Sequence, residues 1–191
     1  MPFAYYDRLS PKRQRTYRKS DRIVTLPLPV DVETGSLVER IERGLMLERR
    51  ADVQSASQQL ISRLVRGYGV QKIRVRVLAT RPVNGYEELH GLYEPEDGPR
   101  PATISVWMRT AQRRKVVAFR TFLRTLIHEL CHHLDYELFE LEETFHTAGF
   151  YKRESSVTNA LLASAEGLAT IAAVATTSSP RAQLGAASRR G

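Results

Sequence analysis

The stretch Lys115–Tyr136 reads KVVAFRTFLRTLIHELCHHLDY, and its periodicity is helical. Turning each residue about 100° around a helix axis puts Leu123, Leu126, Leu130 and Leu134 within about 60° of Phe119. Phe122 and Ile127 flank that apolar stripe. His128 and His132 fall on the opposite side, at about 180° and 220°. His133 falls near the stripe instead and reads as a structural residue. Two histidines held away from the buried face point to a site rather than a core.

Those two histidines belong to His128-Glu129-Leu130-Cys131-His132, an HExxH pattern. Shuffling a chain of this composition would yield that pattern only about 0.01 times. Its chemistry follows from the helix repeat. Residues four apart project from one face about 6 Å apart along the axis, so two imidazoles can chelate one Zn²⁺. Glu129 then lies beside the ion without binding it, placed to take a proton from metal-activated water. Cys131, the only cysteine, reads as a packing residue of this helix and cannot form an internal disulfide.

A zinc site also needs a third protein ligand and an open position. The extended HExxHxxGxxH continuation would need glycine at 135 and histidine at 138, where the chain has Asp135 and Leu138. His146, in the turn Phe145-His-Thr-Ala-Gly-Phe150, is the first candidate. Asp135 and the glutamates at 137, 140, 142 and 143 are the others. Asp135, close to the histidine face, reads more easily as a partner that orients an imidazole. Thr121 and Thr125 share the histidine face, with Arg120 and Arg124 beside it. Tyr136, Tyr151 and Arg153 are candidates to stabilise an oxyanion, and the sequence does not choose among them.

Outward from this helix the pattern is that of an α+β chain with a small mixed or antiparallel sheet and flanking helices. Ser36 and Glu39 form a capping box that starts a helical period running to Gly67 and Gly69, as one helix or as two broken at Gly44. Val70 to Leu78 alternates, with Ile73, Val75 and Val77 on one face and Lys72, Arg74 and Arg76 on the other. Short strands follow near Leu89–Tyr93 and Ala102–Met108. A last helix is expected from the His146–Gly149 turn to about Ala175.

The chain has 191 residues and a formal net charge of +8. Residues 1–22 carry seven bases and two acids, residues 181–191 three bases and no acid, so the span between them is neutral. Residues 1–29 are accordingly read as a basic flexible arm, 30–176 as the folded domain and 177–191 as a disordered tail. The basic termini are compatible with DNA or another polyanion as a partner. No apolar leader follows Met1 and no run is long enough for a membrane span, so a cytoplasmic protein without a membrane partner is expected.

HExxH, a short acidic insertion, a histidine followed by Gly149 and Phe150, and the run-up of Gly91-Leu-Tyr93 and a strand at Ile104–Met108 together resemble the SprT-like zinc metallopeptidases, over about residues 37–155. The resemblance implies a minimal zincin-like fold, zinc held by His128, His132 and His146, Glu129 as catalytic base and endopeptidase action on a protein or peptide. It also implies a substrate strand added at the edge near Ile104–Met108; some members of the family process DNA–protein crosslinks. Two rival readings stand beside it. One is a zinc-binding domain of zincin fold without proteolysis; the other is a nucleic-acid-associated protein whose HExxH is incidental.

Overall fold

The alternating segment becomes β1 (Arg74–Thr80), in which Val75 and Val77 are buried while Arg74 and Arg76 face outward. β1 pairs in parallel with β5 (Thr103–Arg109), placing Val75 opposite Ile104 and Val77 opposite Val106. β4 (Gly91–Glu94) pairs antiparallel with the other side of β5, with Tyr93 opposite Ile104. The sheet is therefore mixed, in the order β1-β5-β4. A two-residue hairpin, β2 (Val83–Asn84) with β3 (Glu87–Glu88), lies between β1 and β4 in the chain. The strand at 103–109, expected to present an edge, is the central one, and the edge facing the helical site is β4. Spacing along the chain could not show this, because strand order is set by long-range pairing.

The computed structural model describes residues 3–27, 32–84 and 87–177. Five α-helices pack with the sheet among these residues: α1 (Pro11–Arg22), α2 (Val32–Met46), α3 (Arg50–Tyr68), α4 (Phe119–Glu137) and α5 (Ala148–Thr177). α4 lies against β4, β5 and α5, while α3 covers β1 and α2 packs between α3 and α5. The α4 stripe is the centre of the core: Phe122, Leu123, Leu126, Ile127, Leu130 and Leu134 are all buried. None of the helices among the described residues is long and apolar enough to cross a membrane.

The 37–68 period divides into two helices, but not at Gly44. The chain turns at Leu47–Arg49, with Glu48 at φ 55°. Gly44 serves a different purpose, since a Cβ there would stand 2.8 Å from the Val53 side chain where α2 meets α3. α2 also begins a turn before the Ser36–Glu39 box, with buried Thr34 drawn into the helix. Tertiary burial outweighs the local capping signal.

α3 also closes the outer edge of β1. Gln58 accepts a hydrogen bond from Val75 N (2.8 Å) and donates to Ile73 O (3.1 Å). Gln54 accepts from Val77 N (2.6 Å) and donates to Val75 O (2.8 Å), and Arg50 donates to Val77 O (3.1 Å).

The basic arm expected over residues 1–29 requires correction. Residues 11–22 are helical, capped by Ser10 and started by Pro11, and the helix is docked on the domain with Tyr17 and Ser20 buried. Its cations find partners far away in sequence. Lys12 pairs with Glu142 at 2.9 Å, Arg13 pairs with Glu143, and Lys19 donates to Phe139 O. The tail at 177–191 lies, apart from Thr177, outside the described residues.

Candidate metal centre and active site

α4 presents His128 and His132 one turn apart, and the loop between α4 and α5 returns His146 to meet them. Their Nε2 atoms form a near-equilateral triangle: 3.0 Å from His128 to His146, 3.1 Å from His146 to His132 and 3.2 Å from His132 to His128. Among the described residues these three are the cluster able to hold a metal ion. Nitrogens bound to one tetrahedral zinc at about 2.0–2.1 Å stand about 3.3 Å apart, so the spacing suits such an ion.

Tautomers decide whether such a triangle is attractive to a metal. The Nδ1–H of His128 donates to Glu154 Oε2 at 2.9 Å. The Nδ1–H of His132 donates to Thr144 Oγ1 at 2.7 Å, and that hydroxyl passes its own proton toward Asp135 Oδ2, also at 2.7 Å. Both Nε2 atoms therefore carry lone pairs toward the centre. Burial pushes the His132 pKa down to about 3, with the neighbouring His128 and His146 acting in the same direction, and burial lowers that of His146 too. Neutral imidazoles are the ligand form. Phe150, fully buried, lies 4.8–5.3 Å in ring-centroid distance from all three imidazoles and supplies a dry floor.

Glu129 is 6% exposed, and burial raises its carboxyl pKa to about 7. His128 and a hydrogen bond from the Tyr93 backbone N–H pull against that rise. The carboxylate lies against β4, where any side chain at 91 would collide with it. A Cβ on Gly91 would be 2.3 Å from Glu129 Oε1 and 2.8 Å from the Thr125 methyl. Gly91 is thus the close approach that lets the strand edge and the glutamate share one cleft.

That cleft has a volume of about 850 Å³ and runs between β4 and α4 over the three histidines. Thr121, Thr125, Arg120 and Arg124 line it, as their positions on or beside the histidine face predict, and so do the oxyanion candidates Tyr136 and Tyr151. Arg124 stands 3.7 Å from Glu154, and the Tyr151 ring stacks beside His146 with centroids 5.9 Å apart. Arg153 does not reach the cleft. It is fully buried, with Nη2 2.5 Å from Asp135 Oδ1, which removes it as an oxyanion candidate.

His133 is buried, bonded to Gln71 O (2.9 Å) and to the Tyr93 hydroxyl (3.2 Å), a structural residue as its angle on the helix implies. Asp135 is not one of the clustered ligand candidates; it orients His132 through Thr144. Glu154 and Thr144 escaped the sequence reading. Glu154 lies 26 residues from the histidine it orients, with no spacing rule to connect them. Thr144 could have been found only from its place two residues before His146.

No protein-family model, curated protein or solved structure matches this chain.

Proposed function

We propose that the chain is a zinc-dependent endopeptidase of the SprT-like, minimal-zincin kind, with His128, His132 and His146 as ligands and Glu129 as general base. One observation carries the reading: three imidazole Nε2 atoms, two of them fixed with lone pairs inward, converge beside a buried carboxylate, inside a cleft bordered by a strand edge that no described strand pairs. Zinc, when bound, supplies Lewis acidity, acidifying water and polarising a peptide carbonyl. The protein's own part begins with β4, whose outer edge no described strand pairs and to which an extended peptide would add as a further strand. Glu129, with its pKa raised to about 7 by burial, takes a proton from the attacking water and delivers it to the departing amine. Glu154 and Thr144 keep His128 and His132 in the Nδ1–H tautomer throughout. Tyr151, exposed in the cleft with its ring stacked beside His146, is assigned to meet the oxyanion.

The decisive comparison is wild type against Glu129→Gln, with zinc content and hydrolysis of an unfolded protein measured together. The variant should retain one zinc per chain and lose about 10²–10⁴-fold in rate. Equal rates would remove Glu129 as the base. Zinc in both proteins with hydrolysis by neither would favour a zinc-binding domain without proteolysis.

A further inference from the structure

α1 touches the rest of the protein chiefly around the metal-centre loop, by two routes. The first is a continuous polar chain. Arg153 Nη1 donates to the carbonyls of Ser20 (3.0 Å) and Ile23 (3.1 Å), at the end of α1, and Nη2 donates to Ser20 Oγ (3.0 Å). The same Nη2 binds Asp135 Oδ1, and the other Asp135 oxygen accepts from Thr144, which accepts from His132 Nδ1. Four hydrogen-bonded links thus connect the backbone of the N-terminal helix to one imidazole.

The second route fastens the loop that bears His146. Lys19 holds Phe139 O, Lys12 and Arg13 hold Glu142 and Glu143, and the buried Tyr17 ring packs 5.8 Å from that of Phe145. Ser20 Oγ and Thr147 Oγ1 are 3.5 Å apart, and Asp21 accepts from Gly149 N at 2.9 Å. Backbone meets backbone there: a Cβ on Gly149 would lie 2.3 Å from Asp21 O.

Exposed ion pairs such as those of Lys12 and Arg13 add little to global stability, so stability alone is a poor account of this arrangement. The segment between α4 and α5 has no regular secondary structure, yet it must hold His146 about 3 Å from two other imidazoles. Ordering such a loop carries an entropic cost for each residue, which contacts from outside the loop must offset. α1 provides those contacts at 139, 142, 143, 145 and 147, and at 149 in the first turn of α5. We propose that α1 is a working part of the metal centre, positioning His132 through Arg153, Asp135 and Thr144 and positioning His146 through the loop it fastens. This rests on the three histidines being metal ligands. Docking of the N-terminal helix then sets metal affinity, and these residues act by position without touching the ion.

The test uses the full chain freed of metal and titrated with Co²⁺, reading visible absorption for coordination geometry and chelator competition for affinity. Melting of each metal-free variant is followed in parallel. Wild type should bind one Co²⁺ with a tetrahedral spectrum. Thr144→Val, which breaks the chain at its last link, should weaken binding about 10–100-fold, and Thr144→Ser should restore most of it. Asp21→Ala, remote from the ion, should weaken binding by about threefold to tenfold and broaden the spectrum, with metal-free melting nearly unchanged. Wild-type affinity and spectrum in Asp21→Ala would overturn the role of α1. The same result in Thr144→Val would overturn the relay. No Co²⁺ binding by wild type would instead overturn the metal reading itself, and this proposal with it.

Discussion

The two edges of the small sheet are treated in opposite ways. Along β1 the outward N–H groups of Val75 and Val77 and the carbonyls of Ile73, Val75 and Val77 are answered by Arg50, Gln54 and Gln58. The match is geometric. Four helical residues rise about 6 Å, and two strand residues span about 6.6 Å, so side chains at i, i+4 and i+8 track every second peptide unit. Along β4 no described strand or side-chain ladder covers the edge; Glu129 takes the Tyr93 N–H, and the rest borders the cleft. An exposed edge invites pairing with any extended chain. Sealing one edge while leaving the other beside three convergent histidines supports the proposed use of the second for recognition.

The sharpest way to break this contrast is at Gly91. Gly91→Ala drives a methyl group into the Glu129 carboxylate and so damages the open edge and the base together. Hydrolysis of an unfolded protein substrate should fall about 10²-fold or more, while zinc content stays at the wild-type level. A fully active variant would separate β4 from the site. Next in size is the sealed edge. Gln58→Leu strips the Val75 N–H of its acceptor and Gln54→Leu does the same to Val77, each at about 1–3 kcal/mol in urea unfolding. The double variant should also associate with rising concentration, seen by sedimentation, because a second unpaired edge has been created. Unchanged stability in both would mean that water replaces the glutamines and that the ladder seals nothing.

Legibility in the sequence followed the range of the interactions. The angle of each α4 residue around the helix foretold which histidines lie in the cleft and which is buried, because helix geometry alone sets it. β1 was readable for the same reason, since Val75 and Val77 alternate with Arg74 and Arg76. The sealing of β1 was not, because glutamine at 54 and 58 is as ordinary on an exposed helix face as in a ladder. α1 was missed entirely. It buries only Tyr17 and Ser20, too few for an apolar period, and its partners lie more than a hundred residues away at Phe139, Thr147 and Arg153. Its high charge suggested a free arm, whereas Lys12 and Arg13 meet the acidic segment that was itself unexplained. The place of β5 at the centre of the sheet likewise depends on pairings that no local pattern encodes.

The smallest effect belongs to Arg50, and it sharpens why the ladder uses glutamine. Arg50 only donates, to Val77 O at 3.1 Å, and its side chain is exposed. Removing it leaves a carbonyl at the rim of the sheet, which a water molecule can satisfy in its place. Gln54 and Gln58, by contrast, each accept from a strand N–H and donate to a strand C=O, and both sit in the partly buried groove between α3 and β1. A strand N–H has one bond to give, so an apolar residue in that groove leaves it with no partner. Arg50→Ala should therefore change unfolding free energy by no more than about 0.5 kcal/mol. Amide exchange separates the two cases residue by residue: Val75 and Val77 should stay protected in Arg50→Ala, Val77 alone should exchange faster in Gln54→Leu, and Val75 alone in Gln58→Leu. Fast exchange at both positions in Arg50→Ala would show that the arginine, not the glutamine pair, holds α3 against the strand.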